Sequence, residues 1–284
     1  MFYAPCYSPI FDGLRDECEK VLGVRIVSET DGSLMLCRKV SELGKECDLL
    51  MVSDSEVLKE VAGGWCRWRL DFASDEVVIG VGVRARRVDE AERDWVSVLV
   101  SGDVRFGRVD ENLGPAGYRT LLVWALEERR RGVSGLALRL KERCVTVVED
   151  AGRLAALLKV GGIDYGFLYR TLCLEYDIRY IELDRKVNLG SQDEDYGGVE
   201  VSFKKLKAGE EQIVRVKGSA ITYGLTVPEG ARNREKAIAL IKYLLTERRE
   251  SFISKGYRFF KPRFYGTREE YERFAGFAEY AGEF

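Results

Sequence analysis

The chain has 284 residues, longer than the roughly 250 at which single cores stop growing, so two lobes are expected. Charged side chains make up 32% but nearly cancel to a net charge of −2, which leaves no basic footprint for nucleic acid. Histidine is absent, which removes the commonest general base and transition-metal ligand and argues against an enzyme.

In chain order, the first half alternates helix and strand signals, the pattern of a largely parallel sheet. Pro9 to Val21 carries a helical stripe at Ile10, Leu14, Cys18 and Val21, and Val24 to Ser28 reads as a short β-branched strand. Ser33 to Leu43 is a second helix with Leu34, Cys37, Val40 and Leu43 on one face, followed by the strand Asp48 to Val52 and the helix Ser55 to Val61. Asp75 to Val83 reads as a long buried strand that carries the chain out of the first lobe. Neither this run nor Leu121 to Leu126 approaches the roughly 20 apolar residues of a membrane-spanning helix.

A second set of elements follows: helix Trp95 to Leu99, strand Val104 to Gly107, the loop VDENLGPAG, and a long helix from Tyr118 to about Arg131. After a Gly/Ser break come strand Cys144 to Val148, helix Gly152 to Lys159, and strands Tyr165 to Tyr169 and Ile178 to Glu182. GSQDEDYGG, Gly190 to Gly198, reads as an exposed loop. Val199 to Phe203 and Gln212 to Val216 form a hairpin around KKLKAGEE, and Ala220 to Val227 is a strand ended by Pro228. Asn233 opens a helix to about Glu247, and two short helices close the chain.

The seven cysteines, Cys6, Cys18, Cys37, Cys47, Cys66, Cys144 and Cys173, form no CxxC and no metal-ligand spacing. They read as buried small hydrophobes with room for one or two disulfides, and no metal or cofactor is expected. MFYAPCYSPIF at the start has no basic stretch followed by a long apolar one. Either a secretory leader has been removed, or the protein is cytoplasmic.

Turns that feed a helix aim unpaired backbone N–H groups and the positive dipole end at whatever lies before them, which suits an anion. Such turns recur at Cys6 to Ser8, at Gly32 and Ser33, at Gly117 and Tyr118, and from Asp150 to Gly152. Each alone is an ordinary helix cap.

Five blocks in order carry a resemblance: DGSLMLCRKVSELGKECDLL, FASDEVVIG, DVRFGRVDENLGPAGYRTLLV, GGIDYGFLYRT with YIEL, and ITYGLTVPEGARNREKAIALIKYLL. Together they resemble the archaeal molybdate/tungstate-binding proteins of ABC transporters. That resemblance implies an α/β, two-lobed type II periplasmic-binding-protein fold with a ligand cleft between lobes, each a mostly parallel sheet flanked by helices. It places lobe one at 1–78 plus 220–284 and lobe two at 79–219. It further implies a monomer that captures a tetrahedral oxyanion outside the cytoplasm, closes about a hinge, and delivers the oxyanion to an ABC permease. The oxyanion implied is molybdate, tungstate or a sulfate-like anion, and the alternative is a cytoplasmic oxyanion sensor or a repurposed binding module on the same fold.

Carried over by residue, the resemblance puts the first serine of the anion site on Cys6 and the second on Ser33. Lobe-two backbone donors fall on Ala116, Gly117 and Tyr118 and on the turn Asp150 to Ala151, and the tyrosine donor falls on Tyr169. Ser8 or Tyr7 is available to replace the hydroxyl missing at Cys6, and Arg119 is either a ligand or a structural arginine. Two carboxylates that complete a six-coordinate tungstate in the archaeal class fall here on Gly114 and Leu168, so a tetrahedral, hydrogen-bonded oxyanion is implied instead. The carboxylates of Asp110, Glu111 and Asp150 read as solvated groups or caps, with no nucleophile motif beside them.

Overall fold

The computed structural model describes residues 1–62, 64–207 and 210–284. Strand β1 (Phe2–Tyr3) leads through a 3-10 turn (Pro5–Tyr7) into α1 (Ser8–Leu22), then β2 (Glu29–Thr30), α2 (Ser33–Ser41), β3 (Leu50–Val52), α3 (Glu56–Ala62) and β4 (Arg69–Asp75). Next come β5 (Val77–Val81), α4 (Val88–Ser101), β6 (Phe106–Val109), α5 (Pro115–Arg131), α6 (Leu136–Arg143), β7 (Thr146–Val148) and α7 (Ala151–Lys159). The chain continues through β8 (Tyr165–Tyr169), α8 (Arg170–Glu175), β9 (Tyr180–Ile181) and the hairpin of β10 (Glu200–Lys207) with β11 (Glu210–Lys217). It ends with β12 (Ile221–Thr226), α9 (Arg234–Thr246), α10 (Arg249–Ile253), β13 (Arg258–Tyr265), α11 (Arg268–Tyr271) and β14 (Glu279–Gly282). Most of the expected KKLKAGEE loop is ladder, and its residues 208–209 lie outside the described residues.

The chain divides into two units, Met1–Ser74 with Ile221–Phe284, and Asp75–Ala220. The outgoing break lies between Ser74 and Asp75, and β5 pairs with β8 and β9 of the second unit. The return lies between Ala220 and Ile221, where β12 begins.

In the first unit the sheet order is β14-β13-β4-β12-β3-β1-β2. β2, β1 and β3 are mutually parallel neighbours, whereas β12 meets β3, and β13 meets β4, antiparallel. Parallel pairing therefore holds for these three strands, joined by helical crossovers, and again at the far edge between β13 and β14. β12, which re-enters from the other unit, is free to run the other way. Aromatic side chains dominate the core: Tyr7, Phe11, Trp68, Phe72, Phe252, Phe264 and Phe274 are buried, and the Tyr223 and Tyr257 rings sit 4.5 Å apart. Full burial of such a side chain stabilises by about 2–3 kcal/mol.

In the second unit the order is β7-β6-β8-β5-β9, with β7, β6 and β8 parallel and β5 antiparallel to β8 and β9. Its core is a second aromatic cluster, in which Trp124 meets Phe167 edge-on at 5.4 Å and Trp95 meets the same ring at 5.7 Å. Among the described residues, no helix is long and apolar enough to cross a membrane.

Candidate functional site

Parallel strands put their carboxyl ends on one edge of a sheet, and in open α/β sheets that edge carries the binding loops. In the first unit, three neighbouring ends open into turns: β1 into Ala4 to Ser8, β2 into Asp31 to Ser33, and β3 into Ser53 to Ser55. Ser33 is 1% exposed; its Oγ accepts the Ser53 N–H at 3.0 Å and lies 3.0 Å from Ser53 Oγ. Gly32 N–H donates to Asp31 Oδ1 at 2.7 Å, which fixes the turn so that Ser33 opens α2.

Cys6 lies within the 3-10 turn and is half-buried, with Tyr257 Oη donating to its carbonyl at 2.9 Å. Ser8 opens α1, also half-buried, and its N–H donates to Pro5 O. Tyr7 does not replace the missing hydroxyl: its ring is fully buried in the core, and its Oη donates to Val52 O at 2.8 Å. Cys6, Ser8 and Ser33 thus share one edge with Ser53 and Ser55, which the sequence reading did not single out. The signal was present in Val52 to Ser55, a strand end with two serines ahead of a helix.

The second unit repeats the construction. β6 runs through Asp110 to Gly114 into α5, β7 through Glu149 and Asp150 into α7, and β8 directly into α8 at Tyr169 and Arg170. The loop before α5 is braced from within, since Asn112 N–H and Nδ2 donate to Asp110 Oδ1 at 2.7 and 2.8 Å. It is also braced from the hairpin, where Lys204 N–H donates to Asn112 Oδ1 at 2.7 Å. A Cβ on Gly117 would lie 2.5 Å from the carbonyl carbon and oxygen of Asp110, so only glycine allows this loop to fold back on the helix. Pro115 at the start of α5 has no N–H, and Gly117 N–H already reaches Gly114 O at 3.0 Å. Ala116 is therefore the first-turn donor with neither of these commitments.

Tyr118 is fully buried and stacks on Phe203 at 5.2 Å, so its ring is a packing group and not a ligand contact. Arg119 is fully buried too and donates to Ser219 O at 2.6 Å and Ser219 Oγ at 3.2 Å, the structural role of the two open to it. Asp150 caps α7 by accepting the Arg153 N–H at 2.8 Å, so the Ala151 and Gly152 amides of the first turn are not the ones this cap engages. Tyr169 is buried at the end of β8. A small cavity of about 160 Å³ lies here between Asp110, Leu113, Val148, Glu149 and Arg153.

At the same end of the second sheet, the buried Asp75 accepts Thr171 Oγ1 at 2.5 Å, and Glu76 accepts Asn188 Nδ2 at 2.7 Å with Arg170 Nε at 3.3 Å. These carboxylates are consumed by local donors. A larger cavity, about 460 Å³, lies in the first unit at the opposite edge, lined by Met1, Val24, Leu49 and Lys236 among others. Volume alone therefore does not find the loops. Leu168 lies inside β8 paired with Val78, and Gly114 precedes α5, so neither position offers a carboxylate. None of the seven cysteines is in a disulfide, and the described residues contain no cluster of three or more Cys, Asp or Glu suited to a metal.

A family model described as bacterial extracellular solute-binding protein matches residues 1–258. An uncharacterized solute-binding protein of Petrotoga mobilis is 32% identical over 227 residues, 78% of this chain and 71% of that protein. The molybdate/tungstate-binding protein WtpA of Pyrococcus abyssi is 26% identical over 291 residues, 92% of this chain and 83% of its own. Among solved structures, the periplasmic molybdate-binding protein of Azotobacter vinelandii aligns with a TM-score of 0.61 at 14% identity, over 90% of this chain and 96% of that one. The sulfate-binding protein SubI of Mycobacterium tuberculosis aligns with a TM-score of 0.62 at 13% identity, over 100% and 92%. The structures share the two-lobed α/β fold, and the match over residues 1–258 is to a transport family and not an enzyme family. The chain belongs to the bacterial extracellular solute-binding proteins.

Proposed function

We propose that this protein captures a tetrahedral oxyanion, molybdate or tungstate, outside the cytoplasm and delivers it as a monomer to the permease of an ABC transporter. The observation that carries this reading is the construction repeated in both units: neighbouring parallel strands whose carboxyl ends open into helix starts, with serines there in the first unit and first-turn amides in the second. The relatives named for molybdate and tungstate support the choice of anion, and the extracellular family supports the location.

The proposed donors are Cys6, Ser8 and Ser33 from the first unit, and the amides of Ala116, Tyr118 and Ala151, the Asp150 turn and Tyr169 from the second; Gly117, whose N–H is taken by Gly114 O, serves instead to let the loop fold back on the helix. Such a set is built of neutral dipoles, which hold a dianion without importing a countercharge. It also discriminates, because an oxyanion that keeps a proton presents a donor to other donors. The ligand favours the conformation in which both units contact it, so binding and hinge closure are one equilibrium.

Calorimetry against molybdate, tungstate, sulfate and phosphate tests the reading at a pH where the group VI oxyanions are fully ionised. One-to-one binding of molybdate or tungstate, with phosphate much weaker, is the expected result. No heat from any of the four would remove the oxyanion role.

A further inference from the structure

Behind the serines at the end of β3 lies a buried carboxyl that the donor set above does not use. Asp71, in β4, is 3% exposed. Thr222 Oγ1 lies 3.4 Å from its Oδ2 and 2.5 Å from Ser55 Oγ, and either hydroxyl of that second pair is able to donate. Ser55 also hydrogen-bonds the carboxyl, and Ser55 N–H donates to Thr222 O at 2.8 Å. Arg69 Nε faces Oδ1 at 3.4 Å, and Oδ1 has no hydrogen bond among the described residues. A Cβ on Gly224 would lie 2.6 Å from Ser55 Cβ and 3.3 Å from Asp71 Oδ1, so the cluster closes only around glycine.

We infer that Asp71 is a positioning residue for the first-unit half of the oxyanion site, and that its proton sets the direction in which the Ser55 and Thr222 hydroxyls donate. The inference rests on the oxyanion reading. When ionised, the carboxylate draws hydroxyl protons inward and leaves a buried negative charge behind the loops that meet the anion. When protonated, the acid donates to Thr222 and Thr222 to Ser55, which frees the Ser55 proton to point toward the turn shared with Ser53. Anion binding therefore favours the acid form and takes up a proton.

The surroundings place this equilibrium near neutrality. Burial, opposed by Arg69 and by the Ser55 hydrogen bond, pushes the Asp71 carboxyl up to about 7. Arg69 is shared with Glu56 at 3.3 Å and lies 4.4 Å over the Tyr265 ring. Asp54 and Glu56, before and within α3, add negative charge. Tyr265 from β13 and Tyr7 from the 3-10 turn are both held above the ordinary tyrosine range, burial being the larger cause, and remain neutral. Arg263, the register partner of Asp71 on β13, lies 3.4 Å from Glu279.

Calorimetry with molybdate at pH 6, 7 and 8.5, in buffers of different ionisation enthalpy, decides the matter, since molybdate stays dianionic throughout. For a charge on the order of 10 Å away, affinity falls by about two- to tenfold between pH 6 and 8.5. At pH 7 the wild type takes up a fraction of a proton, and both effects vanish in Asp71→Asn. The uptake measurement needs only the wild type, so a variant that fails to fold does not shelter the inference. Binding with no uptake and no pH dependence overturns the role of Asp71 while leaving the oxyanion reading intact, as does a pH step that survives in Asp71→Asn. No binding at any pH overturns both.

Discussion

Cys6 is the one thiol that solvent reaches, because the other six are buried. Burial raises Cys18, Cys47 and Cys144 to about 11, and Cys66 and Cys173 to about 12. The thiolate is the reactive species, so an aromatic disulfide reagent should label Cys6 alone in the folded protein. Saturating molybdate should slow that labelling, and Cys6→Ser, which restores a full hydroxyl donor, should tighten binding by about fivefold. Labelling indifferent to molybdate would take Cys6 out of the site.

Asp71 also makes a prediction that needs no ligand. Its folded pKa of about 7 lies above the usual carboxylate value, so its contribution to stability is complete below pH 4 and is lost as pH rises through 7. Asp71→Asn should flatten this slope, gaining up to about 4 kcal/mol relative to wild type between pH 4 and 8 in urea unfolding. Equal slopes for the two proteins would mean that Asp71 does not titrate there. Cys6 and Ser33 are legible in the sequence because each sits in a local turn-then-helix pattern. The Ser55–Thr222–Asp71 cluster is not legible there, because Ser55 and Thr222 stand 167 residues apart and meet only through the pairing of β3 with β12.

Elements with a wide apolar stripe were legible, and those held by side-chain bonds or crossed by charges were not. α1, α2 and α9 lie close to their expected spans, and the hairpin is found but with longer strands than expected. Val24 to Ser28 reads as a strand, yet β2 forms only at Glu29–Thr30. There Arg15 Nη1 donates to Ile26 O at 2.7 Å and Glu19 accepts the Ile26 N–H at 2.6 Å, so side chains take the ladder's hydrogen bonds. The C-terminal strand β13 was obscured by Pro262, which sits inside the register shift between Phe259 and Arg263, where no ladder N–H is required. α4 begins at Val88, earlier than the expected Trp95, because its first turns carry mostly charge and break at Asp94 (φ −150°).

Two substitutions separate the roles of the second unit's helix starts. Gly117→Ala places a methyl 2.5 Å from the Asp110 carbonyl and should cost about 1–3 kcal/mol of stability while displacing the α5 loop and its amides. Asp150→Ala removes only the α7 cap, about 1 kcal/mol, and leaves the Ala151 amide in place. Thermal melts and calorimetry on both variants should therefore show a larger loss of affinity for Gly117→Ala. The reverse order would shift the site from α5 to α7.

The continuous unit Asp75–Ala220 contains both partners of every strand pair it makes, β5 with β8 and β9, β6 with β7 and β8, and β10 with β11. It also has its own aromatic core around Trp124 and Phe167. A fragment of that size and content is expected to fold alone with a cooperative melt. The first unit is assembled from two distant stretches, Met1–Ser74 and Ile221–Phe284, and has no such continuous fragment. If the oxyanion is held by both units, the isolated fragment loses the donors at Cys6, Ser8 and Ser33. Counting only the two hydroxyls, Ser8 and Ser33, since the Cys6 thiol donates weakly, two charge-assisted hydrogen bonds of about 1.5 kcal/mol each correspond to a loss of roughly a hundredfold in affinity. Circular dichroism establishes that the fragment is folded, and calorimetry with molybdate then reads the loss. A folded fragment that binds molybdate as tightly as the whole chain would show that the second unit suffices. The serines of the first unit would then belong to its packing and not to capture.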